Sequence, residues 1–172
     1  HCKYILMIER AFIPYTDQDI ELEAFVAYPS KKKSPLVILC HAWRGRDDFI
    51  CEKAELMASW GYVGFAIDIY GKGVLGKSNE ENASLKKPFV KNRSLLQRRL
   101  LQGVHTACSL PYVETDHIIS LGFGFGGMCA LDLARCKNDL KAAISVYGHF
   151  DSPYRFSNHS VNPKVLILHG YN

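Results

Sequence analysis

The chain has 172 residues, 48% of them hydrophobic and 22% charged, a composition typical of one globular domain. Its net charge of +4 comes from 21 basic and 17 acidic residues that are scattered along the chain, which argues against a nucleic-acid-binding surface. No apolar run approaches the ~20 residues that span a bilayer, so we expect no membrane segment. The six cysteines include no C-x-x-C pair, which argues against zinc and thioredoxin-like sites and favours a reducing cytoplasm. We expect neither a metal nor a cofactor.

The N-terminal stretch predicts an antiparallel hairpin. Residues 4–12 are largely apolar and predict an edge strand, and the Asp-Gln-Asp sequence at 17–19 predicts a turn. Residues 20–26 then alternate with a period of two, which is typical of a half-buried strand.

A strand, a helix and a second strand are predicted next. The apolar run 36–40 predicts a strand covered on both faces, as in a parallel sheet. Asp47 is placed to cap a helix that ends near Trp60, because Gly61 adopts the left-handed conformation at a helix C-terminus at little cost. Residues 62–69 predict the next buried strand.

The middle of the chain is predicted as a loop and a long helix. Residues 71–87 are polar and contain glycines, which predicts a loop. Pro88 is expected to open a helix over residues 89–109, whose apolar positions recur every three and four residues.

The remaining elements complete an α/β pattern. We predict strands at 117–121, 141–147 and 165–169, a helix at 129–136, and a polar loop at 148–163. Because strands and helices alternate, we predict one α/β domain over residues 1–172, with a mostly parallel sheet and helices on both faces. A terminal parallel strand normally feeds a loop and a covering helix, so we expect the C-terminal part of the domain to be missing from the sequence.

The turn at residues 122–127 fits two known sites. A nucleophile elbow has the pattern G-x-Nuc-x-G, in which Gly122 and Gly126 would frame position 124. A dinucleotide-binding turn has the pattern G-x-G-x-x-G, which Gly122, Gly124 and Gly127 match. We favour the elbow, because two strand–helix steps precede the turn and the next strand ends without an acidic residue. Gly124, however, has no side chain with which to attack.

A second glycine-rich stretch matches the phosphate-loop pattern G-x-x-x-x-G-K-S. It covers residues 71–78, from Gly71 to Ser78, and follows a predicted strand. No helix is predicted directly after Lys77, and the acidic residues at 80 and 81 would repel a phosphate. We therefore interpret it as an ordinary loop and keep nucleotide binding as an alternative.

Four stretches of this sequence together resemble the dienelactone hydrolase family of α/β-hydrolases. They are CHAWRG at 40–45, DIYGKG at 68–73, GFGFGG at 122–127 and VLILHG at 165–170. The resemblance covers nearly the whole chain. It implies an α/β-hydrolase fold and the hydrolysis of a small-molecule ester or lactone through an acyl-enzyme intermediate.

The resemblance also assigns roles to particular positions. The family's nucleophile falls on Gly124, its oxyanion donors on the backbone N–H groups of Phe125 and Trp43, and a glutamate on Ala42. The acid and the histidine of the triad would follow Asn172. Since the chain lacks these chemical groups, we expect it to be nearly inert as a hydrolase, and hence either a degenerate enzyme or a pseudoenzyme that binds an acyl or carboxylate ligand.

Further residues are candidates for binding a substrate or replacing the nucleophile. Cys40 and Cys129 are the possible substitute thiols, but both lie in apolar surroundings that favour a core position. The candidate substrate-binding side chains are His41, Arg44, Arg98 and Arg99. The substrate itself and the oligomeric state cannot be inferred from the sequence.

Overall fold

The computed structural model describes residues 7–30, 32–148 and 162–169. These residues form seven strands and four helices. The strands are β1 (Ile8–Asp17), β2 (Ile20–Pro29), β3 (Ser34–Cys40), β4 (Val63–Ala66), β5 (Val113–Phe123), β6 (Ala142–Val146) and β7 (Lys164–Leu168). The helices are α1 (Asp48–Ser59), α2 (Asn79–Lys91), α3 (Arg93–Cys108) and α4 (Phe125–Cys136).

The strands form one mixed sheet in the order β1-β2-β4-β3-β5-β6-β7. β1 pairs with β2, and β2 with β4, in antiparallel fashion. All pairs from β4 to β7 are parallel. The predicted mostly parallel sheet with an N-terminal antiparallel hairpin is therefore confirmed.

The two faces of the sheet are covered by different helices. On one face, Val37 and Leu39 of β3 pack with Ile50 of α1. On the other face, Ile38 and Cys40 belong to a larger cluster to which α3 and α4 also contribute. Helices on both faces are thus confirmed, and the alternation of side chains along β3 explains why this strand is apolar throughout.

The hairpin is longer than predicted. β1 runs to Asp17, which pairs with Ile20, so that Gln18 and Asp19 alone form the turn. Gln18 has a φ of 52°, as hairpin turns of two residues require. Pro14 does not interrupt β1, because β1 is an edge strand and needs no N–H at every position. Residues 4–6 of the predicted strand lie outside the described residues.

The predicted loop at 71–87 is wrong in its second half, because α2 begins at residue 79. The Ser78 hydroxyl accepts a hydrogen bond from the Glu81 N–H at 3.1 Å, and the Glu81 carboxylate accepts one from the Lys77 N–H at 2.7 Å. This Ser-x-x-Glu arrangement is a capping box, which satisfies backbone donors at the start of a helix. α2 therefore forms without the apolar stripe whose absence argued against a helix.

The predicted long helix is divided into two. Pro88 lies inside α2 rather than at the start of a helix. The division falls at Asn92, whose N–H donates to the Pro88 carbonyl at 2.9 Å and whose side-chain oxygen accepts from the Leu95 N–H at 3.0 Å. Asn92 thus ends α2 and caps α3.

Other boundaries agree more closely with the sequence. The Asp47 carboxylate accepts from the Ile50 N–H at 3.3 Å, and Gly61 follows α1 with a φ of 93°, which confirms both predicted helix ends. β5 starts four residues earlier than predicted, with an irregularity opposite Pro35 and Leu36, and α4 starts at residue 125 rather than 129. Most of the predicted 148–163 loop lies outside the described residues.

Candidate active site

The turn between β5 and α4 has the backbone geometry of an elbow. Gly124 follows the last residue of β5 with φ 58° and ψ −121°, and Phe125 is the first residue of α4. The Gly124 N–H donates to the Val146 carbonyl of β6 at 2.8 Å, and the Gly124 carbonyl accepts from the Gly127 N–H at 2.9 Å. The predicted strand, tight turn and helix are confirmed, in a conformation that residues other than glycine adopt only under strain.

Three glycines of the turn are required by close packing. A Cβ at Gly122 would overlap the Gly126 carbonyl, and a Cβ at Gly126 would overlap the backbone carbonyls of Cys40 and His41. Gly127 is similarly crowded by the Ser145 hydroxyl. The elbow is therefore pressed against the end of β3, where only a backbone without side chains fits.

Gly124 differs from these three glycines in its surroundings. Among the described residues, a Cβ at this position would meet one atom within 4 Å, the Cβ of Ala42 at 3.9 Å, which is an ordinary contact distance. The described part of the chain therefore leaves room for a side chain at position 124, although its φ disfavours one. The structure brings Gly124 and Ala42 together, and their predicted roles as degenerate catalytic positions stay predictions.

The N-terminus of α4 offers a hydrogen-bond donor beside this space. Phe125 is the first helical residue, so its N–H has no partner within the helix, and no side chain caps the helix at Gly124. The dipole of α4 adds a partial positive charge at the same end. These features suit an oxyanion, and the predicted role of Phe125 as an oxyanion donor stays a prediction.

The loop that carries Trp43 is held near the elbow by two hydrogen bonds. The Gly45 N–H donates to the Ala42 carbonyl at 3.1 Å, which closes a turn. The Tyr70 hydroxyl donates to the Trp43 carbonyl at 2.8 Å. The turn fixes the backbone around Trp43, and its predicted role as the second oxyanion donor stays a prediction.

Tyr70 is a supporting residue that the sequence did not single out. Its ring centroid lies 4.9 Å from that of His41 and 6.1 Å from that of Phe125. Burial raises the pKa of its hydroxyl, which therefore stays protonated and donates to the Trp43 loop. The signal was present in the Asp-Ile-Tyr-Gly stretch, where Asp68 accepts hydrogen bonds from the N–H groups of residues 23, 70 and 71.

His41 occupies a structural position rather than an open one. Its side chain is buried, and its Nε2 accepts from the Ile69 N–H at 3.1 Å. The ring proton therefore sits on Nδ1, which donates to the Ala42 carbonyl at 2.7 Å. Burial lowers the pKa of His41. Both ring nitrogens are used by the backbone, which argues against the substrate-binding role predicted for this residue.

The predicted substrate-binding arginines are engaged elsewhere in the fold. Arg98 and Arg99 both pair with the Asp17 carboxylate at the end of β1, at 3.1 Å and 2.7 Å. Burial raises the pKa of Asp17, but the hydrogen bonds from the two arginines outweigh it and hold the pKa below its ordinary value. Arg99 also donates to the Ile69 carbonyl. These contacts join α3 to the hairpin, and they argue against a role for either arginine in substrate binding.

Arg44 joins two loops. Its Nε donates to the Gly76 carbonyl at 3.3 Å, its carbonyl accepts from the Gly76 N–H at 2.9 Å, and its guanidinium lies 3.6 Å from the Asp47 carboxylate. Arg44 is the only one of the three predicted arginines that lies on the Ala42–Gly45 turn, and its side chain is about half exposed.

The phosphate-loop match at residues 71–78 leads into a helix after all, since α2 starts at residue 79. The prediction that no helix follows Lys77 is therefore wrong. The start of this helix is capped, however, because the Ser78 hydroxyl accepts from the Glu81 N–H and the Glu81 carboxylate accepts from the Lys77 N–H. The loop is also closely packed, because a Cβ at Gly76 would overlap the Asn82 side chain. The donors that a phosphate would need are largely used within the protein.

The candidate replacement thiols lie in the core. Cys40 and Cys129 are both fully buried. Burial raises the pKa of each thiol, which disfavours the thiolate that nucleophilic attack requires. Neither cysteine is therefore suited to replace the side chain that position 124 lacks.

Within the described parts of the chain, no group of three or more His, Cys, Asp or Glu side chains is arranged to hold a metal ion. No helix in the same residues is long and apolar enough to cross a membrane.

Comparison with known proteins identifies a sequence family and solved structures that resemble this chain. The sequence profile of the dienelactone hydrolase family matches residues 22–172. A comparison with curated proteins found no match. Among solved structures, m3DLH superposes with a TM-score of 0.89 at 25% sequence identity, covering 95% of this chain and 69% of its own.

Two other solved structures share the fold. A dienelactone hydrolase-like promiscuous phosphotriesterase, P91, from metagenomic libraries has a TM-score of 0.88 at 22% identity, over 95% of this chain and 69% of its own. A proposed dienelactone hydrolase from Klebsiella pneumoniae has a TM-score of 0.77 at 20% identity, over 94% of this chain and 72% of its own. The family profile covers most of the chain, and the elbow at residue 124 lies within it, so this chain belongs to the dienelactone hydrolase family of α/β-hydrolases.

Proposed function

We propose that this chain binds a small-molecule ester or lactone at the 122–127 elbow, and that Gly124 leaves it without the covalent step of hydrolysis. The observation that carries the proposal is the contrast at the elbow. Its strained backbone is retained at φ 58°, with space for a side chain, yet position 124 supplies no nucleophilic atom.

The binding half of the chemistry is supported by the end of α4. A carbonyl oxygen placed over Gly124 would accept from the Phe125 N–H and would lie in the positive end of the helix dipole. A second donor from the Trp43 backbone would hold the same oxygen from the other side. Such donors polarise the carbonyl and stabilise negative charge that develops on its oxygen.

The chemical groups that the covalent step of hydrolysis needs are missing at position 124 and at Ala42. Attack by an enzyme nucleophile needs a thiol or hydroxyl at position 124, and glycine has neither. Ala42, whose Cβ faces that position, cannot accept a proton. Hydrolases that lose the nucleophile keep only the residual catalysis that the oxyanion hole and binding provide, about 10³- to 10⁴-fold over water. We therefore expect near-inertness towards activated esters.

A pseudoenzyme that holds an acyl or carboxylate ligand without turnover is the second candidate. The uncapped N-terminus of α4, beside open space at Gly124, favours it, because a carboxylate is an anion that such a terminus stabilises. Thermal stabilisation of the chain by a carboxylate or an ester, without release of product, would support this function. Absence of binding across a panel of both would count against it.

A reducing cytoplasm is the cellular setting that we propose. The described cysteines at positions 40, 51, 108, 129 and 136 are all free, which supports the reducing cytoplasm that the sequence predicted.

Restoring the missing atom tests the proposal. In Gly124→Cys, 4-nitrophenyl acetate should acylate one thiol per chain with a burst of 4-nitrophenolate, and mass spectrometry should place the acetyl group on residue 124. The acyl group should accumulate, because Ala42, the only described side chain within 4 Å of a Cβ at position 124, cannot activate water.

Gly124→Ala is the matched control, since it adds a Cβ and the same backbone strain without a thiol. It should behave like the natural chain and release product at the background rate. Turnover of the ester by the natural chain as fast as by Gly124→Cys would overturn the proposal, and so would acetylation of Gly124→Cys at other cysteines only.

A further inference from the structure

A cleft of about 360 Å³ lies between α2 and α4, next to the elbow but separate from Gly124. Phe125 and Met128 of α4 line it, and both are buried, with 4% of each residue exposed. The α2 side is formed by residues 83, 86, 87, 90 and 91, which recur every three and four residues and so occupy one helix face. Its volume is at the lower end of the range of small-molecule sites, about 300 to 1,000 Å³.

The lining combines an apolar surface with positive charge. Ala83 and Val90 continue the apolar surface of α4, whereas Lys86, Lys87 and Lys91 place three ammonium groups along the same side of α2. No carboxylate within the described ranges comes within 4.0 Å of these three lysines, of which Lys86 is half-buried and Lys87 and Lys91 are exposed. The buried or half-buried arginines at 46, 93, 99 and 135, by contrast, are each paired with a carboxylate. Three cations beside an apolar cleft, with no acidic partner, complement an anion.

The helix dipole does not by itself explain these lysines. Only Lys91 lies in the last turn of α2, where a cation favours the C-terminal carbonyls. Lys86 lies nearer the middle of α2 and is directed towards the Ala42–Gly45 turn, with its Nζ 5.2 Å from the centroid of the Trp43 ring. Its position connects the cleft to the turn that precedes α1.

We propose that the cleft between α2 and α4 binds an organic anion whose apolar body lies on Phe125 and Met128 and whose carboxylate or phosphate lies among Lys86, Lys87 and Lys91. The site shares Phe125 with the elbow but does not include Gly124, and it needs no reaction there. Alkyl or arylalkyl carboxylates and phosphate monoesters share the required chemistry.

Trp43 provides a local probe for this ligand. The chain has two tryptophans, and Trp60 is 63% exposed at the end of α1, on the opposite face of the sheet. In the Trp60→Phe variant, Trp43 alone emits. Titration with 4-phenylbutyrate and with 4-phenylbutyl phosphate should shift the Trp43 emission saturably, and the stronger of the two identifies the preferred anionic group. The uncharged analogue 4-phenylbutanol should bind at least about threefold more weakly.

Charge variants separate this site from general attraction to a basic protein. The double variant Lys86→Gln/Lys87→Gln should weaken binding of the preferred anion about three- to tenfold and leave 4-phenylbutanol unchanged. The matched control is Lys32→Gln/Lys141→Gln, which removes the same charge at exposed positions outside the cleft and should leave both affinities unchanged.

A third variant tests the apolar part of the site. Ala83→Phe places a ring in the cleft and should abolish binding of the anions and the alcohol alike, with a melting curve showing that the chain is folded. Equal affinity for the alcohol and the anions, or equal weakening by both lysine double variants, would overturn the proposal. Binding that persists when acylation of Gly124→Cys fails would reject the elbow function and leave the cleft standing.

Discussion

The two glycine-rich turns of this chain, at residues 71–78 and 122–127, both precede a helix. They differ in whether a side chain caps the N-terminus of that helix. Before α2, the Ser78 hydroxyl and the Glu81 carboxylate accept hydrogen bonds from backbone N–H groups at 3.1 Å and 2.7 Å. Before α4, Gly124 has no side chain and no cap forms. Both turns match a ligand-binding pattern in sequence, but among the described residues only the first has a side chain that caps its helix.

The packing around individual glycines also differs between the two turns. Gly126 faces the carbonyls at the end of β3 with no room for a Cβ, whereas Gly73 has no atom within 4 Å of an added Cβ. The elbow is a rigid contact between β3, β5 and α4, and the first turn is a surface loop tied down at Arg44 and Asn82. Whether a glycine-rich pattern marks a ligand site therefore depends on the atoms that surround each glycine in the folded chain.

The largest expected effect comes from adding a methyl group at the rigid turn. Gly126→Ala should lower the free energy of unfolding by about 3 kcal/mol, because its Cβ meets backbone carbonyls that cannot move aside. Gly73→Ala, the matched change in the other turn, should lower it by about 1 kcal/mol, since only its φ of 74° disfavours alanine. Urea unfolding of the two variants measures the contrast, and equal losses would show that the turns are packed alike.

A pH titration tests the support beneath the elbow. Burial lowers the pKa of His41 below its ordinary value of 6.5, so the folded chain binds fewer protons there than the unfolded chain. The contribution of His41 is complete above pH 6.5 and declines as the pH falls towards its folded pKa. The free energy of unfolding should therefore decrease as the pH falls from 6.5 to 5, which chemical denaturation at several pH values measures.

Two histidine variants identify the source of that decline. His41→Gln should remove this part of the pH dependence, although it lowers stability at pH 7. His105→Gln, at an exposed position of α3, should leave the decline unchanged. A pH profile that is the same in His41→Gln as in the natural chain would contradict the assignment.

Removal of the α2 cap tests the other turn. Ser78→Ala deletes the acceptor for the Glu81 N–H and should lower the free energy of unfolding by about 1 kcal/mol. Ser84→Ala, at an exposed position within the same helix, should change it by only a few tenths of a kcal/mol. Chemical denaturation compares them, and equal effects would mean that the capping box does not stabilise α2.

The smallest expected effect is that of ATP. Because the capping box uses the N-terminus of α2, titration with ATP should give no Mg²⁺-dependent heat or fluorescence change. A saturable signal that Ser78→Ala and Lys77→Gln both abolish would reverse the comparison and make residues 71–78 a phosphate site.

Local sequence signals predicted much of this fold. The apolar run of β3 and the Asp47 cap of α1 were both identified, because each depends on residues close in the chain. The capping box of α2 was also present as Ser78 and Glu81, but the polar sequence that follows it offered no apolar stripe to support a helix. The break at Asn92 was missed because Pro88 was expected to open a single helix over residues 89–109.

The candidate site was only partly predictable. The elbow and its empty position at Gly124 can be read from the sequence, since the glycine spacing records where side chains do not fit. The partners of the arginines could not be predicted, because Asp17 lies 81 residues before Arg98 and only the folded sheet brings them together. The same holds for the buried hydrogen bonds of His41.

The sequence by itself determined the order of the strands, the resemblance to the family and the absence of a nucleophilic side chain at Gly124, because patterns of apolar residues and glycines act over short distances. The tertiary structure decided which polar groups remain for a ligand. It paired Arg98 and Arg99 with Asp17 and buried His41. Among the described residues, it left the α4 N-terminus without a side-chain cap and the lysines of the cleft beside Phe125 without an acidic partner. The physical reason is that a polar group bonds to whichever groups lie close to it in the folded chain. The spacing of residues along the sequence does not give those distances.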